Sequence, residues 1–308
     1  AFTSGSTGEP APSPKTWGAL FETGAETAAR FGFAGDGGET VIATVPPQHM
    51  FGLETSILLP LAGRAVMHAG RPLLAADVDR AIGATAGRRW LMTTPVSLRA
   101  FVAEPGFRPA LEGIISATMP LERALACAVE HDWNVPLHEI YGCTEGGSIA
   151  TRRLTVDAAW RPLGDITIAI AGETAQVTGG HLRHLEGPVP LSDVITVESP
   201  RRFILHGRAA NLVKVGGKRT TLEALDHALL AIPGVVDGMF HVPDGAARPT
   251  AFVVAPGLSA RAILDALRDR IDPVFLPRPL RLVPRLPRND LGKVPRAALA
   301  TLGRSGAQ

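Results

Sequence analysis

Short runs of apolar and β-branched residues recur through the first half of the chain, separated by stretches with helical spacing. Residues 40–45 (TVIATV), 90–93 (WLMT) and 113–116 (GIIS) have the pattern of strands buried in a sheet. Between them, residues 120–131 (PLERALACAVEH) predict a helix with proline in its first turn. That alternation predicts an α/β layer built on a largely parallel sheet. From about Gly164 the texture changes. Residues 165–170, 175–178 and 202–206 read as strands with no long helix between them, which predicts a small antiparallel β unit. Past Gly207-Arg208 a helix is expected over 222–231 and strands over 235–242 and 249–255. Another helix follows, with Ser259 as N-cap and Ile263, Leu264, Leu267 and Ile271 on one face. The expected fold class is α/β: a parallel-rich sheet layer plus a small β unit, followed by a smaller α+β C-terminal domain. The boundary is placed at Arg208, giving domains of residues 1–208 and 209–308. The 308-residue length accommodates two domains of about 100–200 residues each.

Composition narrows the function. At 45% hydrophobic, 19% charged and a net charge of +2, the chain is neither disordered nor a nucleic-acid binder. Only four of its 31 basic residues are lysine, at 15, 214, 218 and 293, and the arginines are scattered like a solvated surface. Two cysteines, Cys127 and Cys143, cannot build a disulfide framework or a Cys-rich zinc site, and they suit a reducing cytoplasm, the expected location. No apolar run approaches the roughly 20 residues of a membrane span. The opening Ala1-Phe2-Thr3 has neither a start methionine nor the look of a signal peptide, so the chain reads as part of a longer protein.

Four segments carry candidate chemistry. Thr3-Ser4-Gly5-Ser6-Thr7-Gly8 offers hydroxyls and accessible backbone N–H groups that can wrap a polyphosphate, although a Ser/Gly linker has the same composition. Tyr141-Gly142-Cys143-Thr144-Glu145 follows an apolar run, which places an aromatic ring, a hydroxyl and a carboxylate at a strand end; an ordinary strand-to-loop turn reads the same way. Arg208 with Lys214 and Lys218, preceded by Asp193, combines an acid for sugar hydroxyls with cations for phosphate. Residues 287–293 (PRNDLGK) put Lys293 on a glycine-containing loop; taken as isolated charges, this segment and the Arg208 segment read as surface decoration.

In order and spacing these segments resemble the adenylate-forming (AMP-binding) enzyme superfamily, closest to its acyl- and aryl-CoA synthetases. The resemblance spans Phe2 to about Arg296. FTSGSTGEP is similar to the phosphate loop, PPQHMFGLE to the next motif and SATMP to the adenine-side turn; YGCTE, the Asp193 segment, GRAANLVKVGGKR and PRNDLGK follow in family order. The resemblance implies activation of a carboxylic acid by ATP to an acyl-adenylate with release of pyrophosphate, then thioester formation with CoA or carrier-protein pantetheine.

It also implies roles. Thr3, Ser4, Ser6 and Thr7 grip the β- and γ-phosphates, with Gly5 and Gly8 giving backbone access. Thr144 contacts the α-phosphate and Glu145 holds Mg²⁺. Tyr141 packs on adenine beside Ala117, Thr118 and Met119, with Gly142 in the same turn. Asp193 accepts from the ribose hydroxyls, and Arg208 holds ribose and phosphate. Lys293 bridges the attacking carboxylate and the α-phosphate. His49 borders the acyl and thiol channel, or packs as an ordinary histidine. Gly52 stands after Phe51 where amino-acid-activating members carry an aspartate, which disfavours an amino acid substrate; an aryl acid and a medium fatty acid both fit. Cys143, without a His partner, reads as inert. The implied cofactors are ATP, Mg²⁺ and the thiol acceptor. The implied partners are a carboxylic acid, with a carrier protein and a second copy of the chain as further candidates.

The departures are also informative. Family members carry a long segment before the phosphate loop, so a fragment, or a second polypeptide supplying that part, is expected here. Lys15 stands five residues after Pro10 rather than directly after it, which weakens it as a phosphate ligand. Ala210 replaces the usual acidic or lysine hinge, and Leu-Ser-Asp193 replaces Thr-Gly-Asp. These differences leave an alternative of another class open, a non-catalytic or truncated nucleotide-binding module acting as an interaction or structural partner.

Overall fold

The computed structural model of the chain describes residues 13–33, 35–172, 174–208, 211–243, 246, 248–288, 294 and 298. The chain divides into two compact units, residues 1–191 with 196–204 and residues 192–195 with 205–308.

The first unit opens with α1 (Trp17–Arg30) and β1 (Glu39–Ala43). The short α2 (Met50–Leu53), a π-helical turn (Glu54–Leu58) and α3 (Leu59–Gly63) come next. They lead through β2 (Val66–Met67), α4 (Ala75–Gly83), β3 (Arg88–Thr93), α5 (Pro95–Val102), β4 (Gly113–Ser116) and α6 (Arg123–Trp133) to β5 (Leu137–Cys143), β6 (Gly147–Arg152) and β7 (Arg161–Pro162). The seven strands form one sheet in the order β2-β1-β3-β4-β5-β6-β7. The first five run parallel, β6 returns antiparallel to β5, and β7 is antiparallel to β6.

The apolar runs explain this architecture. Ile42, Leu91, Ile114 and Leu137 align across four parallel strands and pack with Val78, Leu98 and Val129 of the helices on that face. The alternate positions Val41, Trp90, Met92 and Ile115 face the opposite layer with Ala28 and Leu59. Each of these large side chains is worth about 1.5–3 kcal/mol when fully buried, so the strand register is fixed by both faces.

Helix α1 has no apolar stripe. It buries Ala19, Thr23, Gly24, Thr27 and Ala28, and its threonine hydroxyls donate back to the carbonyls of Ala19 and Thr23 at 2.9 and 2.7 Å. Thr16 caps it by accepting from the Ala19 N–H at 3.2 Å. Helix α6 differs from the sequence expectation. It begins at Arg123 with extended Glu122 as N-cap, so Pro120 lies in the preceding turn and not in the helix. Leu121, fully buried in the core, anchors that extended entry.

Two strands of the expected antiparallel β unit are present as β8 (Thr167–Ala171) and β9 (Thr174–Thr178), joined by β10 (Val189–Pro190) after a 3-10 turn at Gly180–His184, whereas the expected strand over 202–206 lies in a separate ribbon. A ribbon of β11 (Asp193–Ser199) and β12 (Arg202–Arg208) follows. The second unit contains the β13 (Leu212–Val215) and β14 (Lys218–Thr221) hairpin, α7 (Leu222–Leu230), β15 (Asp237–His241), β16 (Thr250–Val254), α8 (Ala260–Arg268) and β17 (Leu280–Leu282). Its core joins Leu225, Leu229, Phe240, Val253, Ile263 and Leu267. Ser259 caps α8 as expected, accepting from the Ala262 N–H at 3.2 Å.

Candidate functional site

Parallel strands expose their C-terminal ends along one edge of a sheet, and open α/β sheets bind ligands there. Three of the singled-out segments leave strands on that edge. The His49 segment follows β1, Ala117–Met119 follows β4, and Thr144-Glu145 follows β5.

The turn after β5 is the most elaborate of the three. Strands β5 and β6 pair antiparallel with a register shift at Tyr141/Gly142. A Cβ on Gly142 would lie 2.2 Å from the Gly147 carbonyl oxygen, and Gly147 has φ +71° with Glu54 Oε1 2.5 Å from where a Cβ would be. The turn therefore needs glycine at both ends. Inside it, the Gly146 N–H donates to Cys143 Sγ at 3.2 Å. Burial pushes the Cys143 thiol up to about 11, so the sulfur stays protonated and serves the turn as an acceptor rather than as a nucleophile.

The segment ahead of α1 docks on the outside of this turn. Ser13 Oγ makes a long hydrogen bond, 3.4 Å, to the Thr144 carbonyl, and Lys15 Nζ donates to the Glu145 carbonyl. Burial lowers the Lys15 pKa, while the nearby Cys143, Glu54 and Glu145 act in the opposite direction. The sequence spacing had weakened the case for Lys15; the fold nevertheless carries it to the YGCTE turn. The Glu145 side chain itself is exposed. Among the described residues no group of three or more His, Cys, Asp and Glu is arranged to hold a metal ion.

Beneath the turn lies a polar layer that the sequence did not reveal. Glu54, buried in the π-helical turn, accepts from the Ser148 N–H at 3.1 Å and from Ser148 Oγ at 2.6 Å. Its pKa is raised by burial against the pull of those two donors and of His181 and Lys15. His181, 3% exposed, lies 2.8 Å from the Gly146 carbonyl through Nε2 and 2.9 Å from Glu26 Oε2 through Nδ1.

The remaining predicted residues are placed as follows. His49 is the N-cap of α2 and half-buried. Its neighbour Met50 comes within 3.5 Å of the position a Gly147 Cβ would take, so α2 abuts the turn. Ala117 is buried, and Thr118 and Met119 are partly exposed. Thr118 has φ +79°, uncommon for a β-branched residue, and its Oγ1 is enclosed without a hydrogen-bond partner among the described residues. A strained backbone beside an orphaned hydroxyl suits a site that a polar ligand completes. Tyr141 is buried, its ring 5.6 Å from Trp160 and 5.8 Å from Phe203.

Asp193 opens β11 and Arg208 ends β12, both in the second unit. Residues Thr3 to Gly8, Ala210 and Lys293 lie outside the described residues, as does the Arg208 side chain. Cys127 and Cys143 are free. No described helix is long and apolar enough to cross a membrane.

Sheet topology, the turn after β5 and the order of segments define an adenylate-forming enzyme fold. The sequence profile of the AMP-binding enzyme family matches residues 1–187, and the chain belongs to that family. It is 32% identical over 274 residues to the 4-coumarate–CoA ligase of Rhodobacter capsulatus, a match covering 88% of this chain and 66% of that one. It is 28% identical over 323 residues to the probable 2-succinylbenzoate–CoA ligase of Mycobacterium tuberculosis, covering 96% and 82%. The fold is shared with ATP-bound MatB from Rhodopseudomonas palustris at TM-score 0.82, with 20% identity over 98% of this chain and 67% of the other. It is also shared with the O-succinylbenzoate–CoA synthetase from Bacillus subtilis in complex with ATP and magnesium ion, at TM-score 0.81, with 20% identity over 97% of this chain and 69% of the other. The chain thus spans about two thirds of the length of the ligase from R. capsulatus.

Proposed function

We propose that the chain is the part of an AMP-forming acid–thiol ligase that carries the nucleotide turn and a small second domain. The ligase activates an acyl or aryl carboxylic acid with ATP to the acyl-adenylate and passes the acyl group to CoA or to a carrier-protein pantetheine. The observation that carries this reading is the glycine-bounded turn after β5. It presents Thr144 and the exposed Glu145 at the C-terminal edge of the parallel sheet, beside the orphaned Thr118 hydroxyl after β4. Membership of the AMP-binding family and similarity to two CoA ligases support it.

In this reading Thr144 donates to the α-phosphate and Glu145 would hold Mg²⁺ through its carboxylate. Mg²⁺ held there would offset the negative charge of the polyphosphate. Thr3, Ser4, Ser6 and Thr7, with the backbone of Gly5 and Gly8, hold the β- and γ-phosphates. Ala117, Thr118 and Met119 flank the adenine, with Tyr141 packing on it and Gly142 letting the chain approach closely. Asp193 and Arg208 take the ribose. Lys293, on the small domain of residues 209–308, bridges the carboxylate and the α-phosphate as a compact cation. His49 borders the acyl and thiol channel. Gly52 after Phe51 leaves no acid there for an α-ammonium group, so the substrate is a carboxylic acid lacking one.

The test is acid-dependent ATP–pyrophosphate exchange over a panel of aryl and acyl acids. Exchange driven by at least one acid, and lost in Lys293→Ala, is the expected result. No exchange with any acid, or full exchange by Lys293→Ala, would sink the catalytic reading in favour of a nucleotide-binding module without chemistry.

A further inference from the structure

The YGCTE turn is pinned from below by a side chain far away in sequence. His181, from the 3-10 turn at Gly180–His184, points Nε2 at the Gly146 carbonyl, 2.8 Å away, and Nδ1 at Glu26 Oε2 of α1, 2.9 Å away. A carbonyl has no proton to give, so Nε2 must carry the hydrogen. A carboxylate oxygen of Glu26 at 2.9 Å is placed to accept a second hydrogen from Nδ1, the arrangement that suits an imidazolium. The other charged group packed around the ring from a separate element is Glu54 of the π-helical turn; Lys15 and His184 line the same small recess behind the turn. Burial alone lowers the His181 pKa, but the bonds to Glu26 and to Gly146, with the charges of Glu26 and Glu54, leave it raised above 6.5. The His181 carbonyl in turn accepts from His184 Nδ1 at 2.7 Å, which fixes the backbone that presents the ring.

We propose that His181, oriented by Glu26, is a positioning residue of the nucleotide site. By holding the Gly146 carbonyl it fixes the next residue back, Glu145, and with it Thr144, in the orientation that MgATP requires. This rests on the reading of Thr144 and Glu145 given above. The geometry favours positioning over simple core packing, because the ring makes its second bond to the main chain of the turn and not to another core side chain. Loop, α1 and turn are joined through that one imidazole.

Glutamine places its amide nitrogen near the position of His Nε2, and asparagine near that of Nδ1. His181→Gln therefore keeps the bond to Gly146 and loses the one to Glu26, while His181→Asn does the reverse. Both lower the melting temperature by removing half of the buried pair. With the 308-residue chain, hydrogen–deuterium exchange of peptides spanning residues 144–148 is measured without ligand, and MgATP binding is measured by calorimetry. His181→Asn is expected to speed exchange of the turn and weaken MgATP about tenfold, the loss of one charge-assisted hydrogen bond, while His181→Gln stays within about threefold of the unmodified chain. Wild-type exchange of the turn in His181→Asn, or equal effects of the two variants in step with their melting temperatures, would overturn the proposal. If His181→Asn does not fold, ¹⁵N-histidine NMR of the unmodified chain decides: a protonated His181 Nε2 at neutral pH supports the anchor, and an unprotonated one removes it. An unmodified chain that fails to bind MgATP removes the nucleotide reading of the turn, while the exchange data still decide whether His181 holds it.

Discussion

Glu54 and Asp226 are both enclosed acids with raised pKa values, yet their surroundings differ in kind. Glu54 has two donors from Ser148, one on each oxygen, and cations at His181 and Lys15. Asp226, on α7 of the second unit, leaves some of its residue surface open while its carboxyl is enclosed. Burial and the like charges of Glu223 and Asp237 push its pKa well up. The carboxyl accepts one backbone N–H, from Phe240, and Arg288, whose charge pulls against the rise, pairs bidentately with Asp237 at 2.7 and 2.9 Å. The first acid belongs to a polar layer with matched donors beneath a candidate site. The second pins a helix to a strand through one backbone N–H. Burial alone thus says little about function; the arrangement of donors around the acid says more.

The comparison can be broken most forcefully at the exposed acid above the polar layer. Glu145→Ala is expected to reduce ATP–pyrophosphate exchange about 10²–10³-fold, the size seen when one electrostatic contact to a transition state is removed, with the melting temperature nearly unchanged. A comparable loss of both would place Glu145 among the residues that hold the chain. Glu54→Ala should act on folding first. It leaves the Ser148 N–H and hydroxyl buried without acceptors, at a cost of about 2–4 kcal/mol in chemical denaturation, and slows exchange as the turn loosens.

The pH dependence follows from the signs of the shifts. Glu54, Asp226 and His181 all hold their protons more tightly folded than unfolded. For the two acids the stabilisation of the folded form is present at low pH and is lost as pH rises above about 4 through their folded values. For His181 it is complete below about 6.5 and is lost as pH rises through its raised value. The unfolding free energy should therefore decline from mildly acid pH toward pH 9. On the acid side Asp157, held low first by its hydrogen bond to Arg202, loses its contribution as pH falls through its depressed value. Denaturation series across pH check this, and a free energy that rises steadily to alkaline pH would contradict it. The smallest effect is expected for Asp226→Asn. An amide oxygen still accepts from Phe240 and no carboxyl has to ionise, so stability should stay within about 1 kcal/mol at acid pH and exceed that of the unmodified chain at alkaline pH.

The layered sheet was legible because its strands are apolar on both faces, as in residues 113–116, which β4 reproduces residue for residue. The Ser259 cap and the helical stripe of α8 were legible for a similar local reason. Helix α1 was not: its buried face is made of Ala, Thr and Gly, so it has no apolar period to read. Pro120 suggested a helix start that belongs at Arg123, because Leu121 is drawn into the core and Glu122 stands extended as the N-cap. At the candidate site, family order and residue type pointed to Tyr141, Thr144 and Glu145, which sit within five consecutive residues. Glu26, Glu54, Ser148 and His181 come from four distant segments, and only the folded chain brings them under one turn. The placement of Lys15 was not legible because spacing after Pro10 is a one-dimensional measure, whereas its bond to the Glu145 carbonyl is set by the docking of the segment ahead of α1.

The most direct test of the central claim is a calorimetric comparison of MgATP with a nonhydrolysable acyl-adenylate mimic on the 308-residue chain. An enzyme that stabilises the adenylation pathway should bind the mimic at least about 10²-fold more tightly than ATP, as sites complementary to the reacting state do. Equal affinity for the two, or no binding of either, would contradict the account and leave a module with the fold of a ligase but without its chemistry.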